Sequence, residues 1–174
     1  FYMSNSDAQG SGGTTNASLT SPVFSLVGMT AASLTFYHYY RNYDGAESGN
    51  VQVSTNGSTW TTVQSYTGAT GTAIAFAPAT ISMNAHLGQA TVQVRFLYLA
   101  TYDYYWALDN FDVSGTPQPG FSWTSVPPGF TSSVQNPTNV AVGVNTTYKV
   151  TVTAGGCTST AQVAVNTVAS PNAG

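Results

Sequence analysis

The stretch Leu34-Thr35-Phe36-Tyr37-His38-Tyr39-Tyr40-Arg41 decides the fold class. Leu34, Phe36, His38 and Tyr40 share one parity, and Thr35, Tyr37, Tyr39 and Arg41 share the other. Successive side chains of a strand point to opposite faces, and aromatic residues are favoured in strands. The stretch therefore reads as a strand with an apolar face toward a core. His38 falls on the Phe36 side, which predicts a core histidine with satisfied hydrogen bonds rather than a general base.

The same alternation recurs on either side. Val51 and Val53 lead to Asn56-Gly57, a hairpin signal, and the chain returns through 60–63. Val92, Val94, Phe96 and Tyr98 alternate with Gln93, Arg95, Leu97 and Leu99. Ala107, Asp109, Phe111 and Val113 share one parity of a last strand, which predicts an inward Asp109. Helical periodicity is nearly absent, so the chain reads as an all-β antiparallel sandwich.

Gly115-Thr-Pro-Gln-Pro-Gly120 breaks the pattern, because prolines do not continue a central strand. A first domain over 1–115, a linker over 116–120 and a second unit over 121–174 are expected. Alternating strands at 147–153 and 161–165 read as a small Ig-like module, incomplete at its start.

Composition narrows the function classes. The chain is 42% hydrophobic and 13% aromatic, enough for a packed core. It holds three basic and six acidic residues, for a net charge of −3. No basic cluster exists to neutralise phosphates, which argues against a nucleic-acid partner. No apolar run of about 18 residues exists, so no membrane span is expected. The opening FYMSNSDAQG has neither an initiator Met nor a basic start, and reads as the interior of a longer, processed protein. Cys157 stands alone in AGGCTST and reads as a buried small hydrophobe or a half-disulfide.

From Leu19 to Gly115, the phrases LTSPVFSL, LTFYHYYRNYDG, VQVSTNGSTWTTV, ATVQVRFLYLA and YYWALDNFDVSG occur in family order. This stretch resembles bacterial surface domains related to MAM and cleaved-adhesin jelly rolls. The stretch from Phe121 to Val165 resembles the PKD/Ig-like repeats of the same multidomain proteins. The resemblance implies a jelly-roll-like sandwich followed by an Ig-like module. It further implies export by the type IX secretion system of gliding bacteria and an extracellular, cell-surface location. In related repeats the Cys of the GCT phrase pairs with an early-strand Cys, which this chain lacks.

Two constellations are candidate sites. Cleaved-adhesin domains often hold a structural calcium at an acidic position that Asp109 matches, with Asn110, Asp44, Glu47 and Asp7 as further oxygen donors. An inward Asp109 has an alternative, an ion pair with Arg41 or Arg95. The aromatic candidates are Tyr43, Tyr102, Tyr104, Tyr105 and Trp106, whose rings suit sugar faces or protein interfaces; the alternative is core packing. Catalytic signals are poor. Glu47 and Asp103 are the one acid–base pairing on offer, His86 has no evident partner, and no nucleophile elbow or metal cluster exists.

The expectation is a non-enzymatic extracellular module of a large surface adhesin or filament protein. Its partners would be a glycan, a surface protein, neighbouring domains or a second copy paired along an exposed edge strand. The alternative is a carbohydrate-binding accessory module of a secreted hydrolase or protease.

Overall fold

A computed structural model describes residues 1–43, 45 and 47–168. The chain divides into two compact units, Phe1–Thr116 and Pro117–Gly174. In chain order the first contains β1 (Tyr2–Asn5), β2 (Thr14–Thr20), β3 (Met29–Arg41), β4 (Ser48–Ser54), β5 (Thr61–Tyr66), β6 (Ala77–Ser82), β7 (Gln93–Thr101) and β8 (Tyr105–Pro117). Two four-stranded sheets result, of order β1-β8-β3-β6 and β2-β7-β4-β5. Strands pair antiparallel, and the unit is a β-sandwich.

The alternation in β3 holds along its length. Leu34, Phe36, His38 and Tyr40 are buried, while Tyr37 is exposed and Tyr39 half-buried. They meet Val51 and Val53 of β4 and Val94, Phe96 and Tyr98 of β7 in one apolar cluster. Phe36 and Phe96 join the two sheets edge to face, with centroids 4.9 Å apart. Trp106 of β8 lies against Phe96 at 5.8 Å and Tyr40 at 6.2 Å. Room for its indole is made at Gly49, where a Cβ would stand 2.9 Å from the ring. Asn56-Gly57 turns the chain between β4 and β5, with Gly57 at φ +74°.

The parity expected for β8 does not hold. Trp106 and Leu108 are buried, yet Phe111 packs on Phe96 at 5.8 Å and Val113 lies against the same core. The inward set changes from even to odd numbers between them. Asn110 sits at this slip with φ +51°, a left-handed conformation that Asn tolerates better than most residues. Such an extra residue re-aims its neighbours, as a bulge does. Asp109, expected inward, is consequently exposed.

The second unit contains β9 (Gly120–Val126), β10 (Thr131–Ser132), β11 (Thr146–Ala154) and β12 (Cys157–Val165). They form one antiparallel sheet of order β10-β9-β11-β12. Tyr148 is buried and packs on Phe130 at 5.5 Å, and Trp123 Nε1 donates to the Val134 carbonyl at 3.0 Å. Within the segment 116–120, β8 runs on to Pro117 and β9 starts at Gly120. Cys157 is neither buried nor in a disulfide: it is exposed and free, at the start of the edge strand β12. The strand follows a tight Gly155-Gly156 turn, and eight of its nine residues are exposed, Cys157 among them.

Candidate ligand face and cation pocket

Strand alternation places Tyr37, Tyr39 and Arg41 on the outer face of β3. Tyr105 starts β8, the neighbouring strand, and its hydroxyl donates to the Tyr39 hydroxyl at 3.0 Å. Their rings are 5.1 Å apart and nearly perpendicular. The row continues on one side to Phe76, 6.2 Å from Tyr39. On the other side Tyr104 lies 6.3 Å from Tyr105, and Tyr43 lies 6.1 Å from Tyr104. Tyr43 is 69% exposed, and Tyr39, Tyr104 and Tyr105 are half-buried.

Arg41 belongs to this row. Its guanidinium carbon stands 4.2 Å from the centroid of the Tyr104 ring, a cation–π contact. The Tyr39 hydroxyl first, and the Tyr104 phenol second, favour the charged guanidinium and push its pKa up. Within the tyrosine pair, the hydrogen bond from Tyr105 pulls the Tyr39 pKa down. The same bond raises that of Tyr105, the donor.

A second feature lies beside Tyr104. Asp7, Tyr43, Tyr102, Asp103 and Tyr104 line a pocket of about 130 Å³. Tyr102 adopts φ +46°, and its N–H donates to the Gly13 carbonyl at 2.9 Å, so the chain turns sharply into Asp103. Asp103 is 2% exposed. Its N–H donates to Ser6 Oγ at 3.3 Å, and its Oδ2 accepts a long hydrogen bond, 3.4 Å, from the Tyr98 hydroxyl. Its Oδ1 is buried without a hydrogen-bond partner among the described residues, as is the Tyr40 hydroxyl. Burial first, then the charge of Asp103, pushes the Tyr40 and Tyr98 pKa values up. Glu47 acts on the same two phenols, and its Oε2 accepts from the Gly45 N–H at 3.1 Å. Asp103 and Glu47 are thus buried near one pair of tyrosines.

The expected residues separate into groups. Tyr43, Tyr104 and Tyr105 join the row, and Tyr102, 46% exposed, flanks the pocket. Trp106 does not join them, because it is 2% exposed in the core and its Nε1 donates to His38 Nδ1 at 3.3 Å. Asp109 and Asn110 are exposed on β8. Asp109 pairs with neither arginine; its Oδ1 lies 3.8 Å from the Phe1 amine. Asp7 lines the pocket and Glu47 is buried, whereas Asp44 lies outside the described residues. Among the described residues no three His, Cys, Asp or Glu side chains gather to hold a metal ion. His38 is a core histidine, and burial holds its pKa down to about 4. His86 closes a short 3-10 turn, Asn84–His86.

The structure adds Tyr39, Arg41 and Phe76 to the aromatic row and Asp103 to the pocket. From the sequence, Tyr39 groups with the other tyrosines but reads as strand packing, Arg41 reads as an ion-pair partner, and Asp103 as an acid–base partner of Glu47. The outward parity of Tyr39 and Arg41 was a readable signal. Phe76 gave none, since it stands alone before a short strand. The chain matches no protein-family model and no curated protein.

Proposed function

We propose that this chain is a non-catalytic module of a large extracellular bacterial surface protein, mediating adhesion or assembly through its outer aromatic row. The row itself carries the reading. Tyr43, Tyr104, Tyr105 and Tyr39 continue ring to ring over solvent-facing surface, although the core is already filled by Trp106, Phe36, Phe96 and Tyr98. Ring faces pack on sugars and fill protein interfaces, while phenol tips stay hydrated. The likeness to MAM, cleaved-adhesin and PKD/Ig-like domains supplies the surface-protein context and the jelly-roll detail.

The chemistry of the remaining residues supports a binding role. His38 is buried and neutral, with Nδ1 already accepting from Trp106, so its basic nitrogen is not turned toward a ligand. Glu47 and Asp103 are buried rather than poised across an open cleft.

The calcium that the resemblance implies fits Asp103 and Asp7 better than Asp109 and Asn110. A buried carboxylate oxygen lacking a donor needs compensating positive charge, and the polar surroundings of Asp103 are oxygen-rich. A hard cation there would neutralise the carboxylates and brace the Tyr102–Tyr104 turn.

The same row suits a second reading, a carbohydrate-binding accessory module of a secreted hydrolase or protease. An array of neutral and acidic glycans, probed with wild-type protein and Tyr104→Ala, tests the common element. Saturable binding lost in the variant is expected. Undiminished binding by Tyr104→Ala would remove the row from the account.

A further inference from the structure

Resting on the row as the binding face, we infer that Arg41 makes it selective for acidic polysaccharides whose sugars carry carboxylates. The two arginines of the first unit are used differently. Arg95 lies over Trp60 at 4.3 Å, and its Nε and Nη2 both donate to Gln52 Oε1, at 2.9 and 2.6 Å. That guanidinium is tied to its own sheet. Arg41 is exposed, stacked on Tyr104, and forms no ion pair among the described residues.

A ring contact occupies the face of a guanidinium; part of its in-plane N–H set meets the Tyr39 and Tyr105 hydroxyls, and the remainder of its five donors is left for a ligand. Those donors match the two oxygens of a carboxylate, and such charge-assisted pairs are stronger than neutral hydrogen bonds. Tyr104 and Tyr39 hold the group in place before a ligand arrives, which lowers the ordering cost of binding. A ligand that satisfies both parts of the face offers sugar rings to the tyrosines and a carboxylate to Arg41.

Other polyanions fit less well. Nucleic acid and anionic membranes are gripped by several Lys or Arg side chains together. This row has one arginine, in a chain with three basic residues and a net charge of −3. Long-range attraction of any polyanion is therefore absent, and recognition has to be local.

The test is calorimetric titration of the whole chain with polygalacturonate, with its methyl-esterified form and with dextran sulfate. Esterification keeps the sugar rings and masks the carboxylates. Wild type should bind the free acid at least about tenfold more tightly than the ester, the usual scale of a hydrogen bond to a charged group. Arg41→Gln should erase that preference while circular dichroism shows an unchanged fold, and Arg95→Gln should retain it. Equal affinity for acid and ester, an equal loss in Arg95→Gln, or tightest binding to dextran sulfate would each overturn the inference. A neutral glycan bound in a Tyr104-dependent way, with no preference for uronate, would keep the row and overturn the role of Arg41. No binding of any glycan or surface protein through the row would overturn both.

Discussion

The hydroxyls of Tyr39 and Tyr105 meet at 3.0 Å across β3 and β8, on the face turned away from the core. This bond orients two rings that the core does not hold, and Tyr104, Tyr43 and Arg41 extend from it. Face and core are therefore separable by mutation. Tyr39→Ala and Tyr104→Ala should each cost no more than about 1 kcal/mol in denaturant unfolding, as half-exposed positions do. Trp106→Ala, in contrast, should cost about 3–5 kcal/mol. A comparable loss from all three would mean that the row is structural.

Gly49 is predicted to resist enlargement. A Cβ there would stand 2.9 Å from the Trp106 ring, a rigid neighbour packed among other aromatics. Gly49→Ala should lower stability by about 1–3 kcal/mol, the usual cost of overpacking. Thermal melting compared with Gly68→Ala, a position with open space around its Cβ, provides the check.

His38 gives the sandwich an acid-sensitive component. Trp106 Nε1 can only donate, so His38 Nδ1 accepts and the imidazole is neutral. Burial holds its pKa down to about 4 from 6.5. The unfolded chain takes up this proton near the higher value, and the folded one does not. Stability from this residue is therefore complete above about pH 6.5 and falls toward pH 4, by about 3 kcal/mol in all. The ring is surrounded by Phe36, Tyr66 and Trp106, none of which is charged in that range. His38→Gln should flatten this part of the stability profile; wild-type and variant curves that stay parallel would refute the assignment.

Calcium should act at Asp103. An ion bound only by the folded state stabilises it by about 2.7 kcal/mol at a hundred times its dissociation constant. Added calcium should raise the melting temperature of wild type and of Asp109→Asn, and EDTA should reverse the rise. Asp103→Asn should not respond. An unchanged wild-type melt with calcium would exclude the ion from the account.

The fold was legible where alternation is strict and uninterrupted. Leu34 to Arg41 and Val92 to Leu99 contain no irregular residue, so parity alone separates their core and outer faces. It failed in β8, because one left-handed Asn110 changes the parity and nothing in the letters YWALDNFDV marks that slip. Asp109 and Trp106 were both misplaced there: a tryptophan beside a tyrosine-rich loop reads as a ligand residue until its side of the sheet is known. Asp103 was hidden for a different reason. Its burial depends on Ser6 and Gly13, which come from the distant N-terminal segment, as well as on Tyr98 of the preceding strand. The row likewise assembles Tyr39, Phe76 and Tyr104 from separate segments, so composition announced the tyrosines but not their alignment.

The most direct test of the central claim is chemical-shift mapping of the labelled protein during titration with a glycan that binds it. The account predicts saturable perturbations centred on Tyr39, Arg41, Tyr43, Tyr104 and Tyr105, with the outer face of β2, β7, β4 and β5 unaffected. Perturbations centred on that other sheet or on β12 would contradict it.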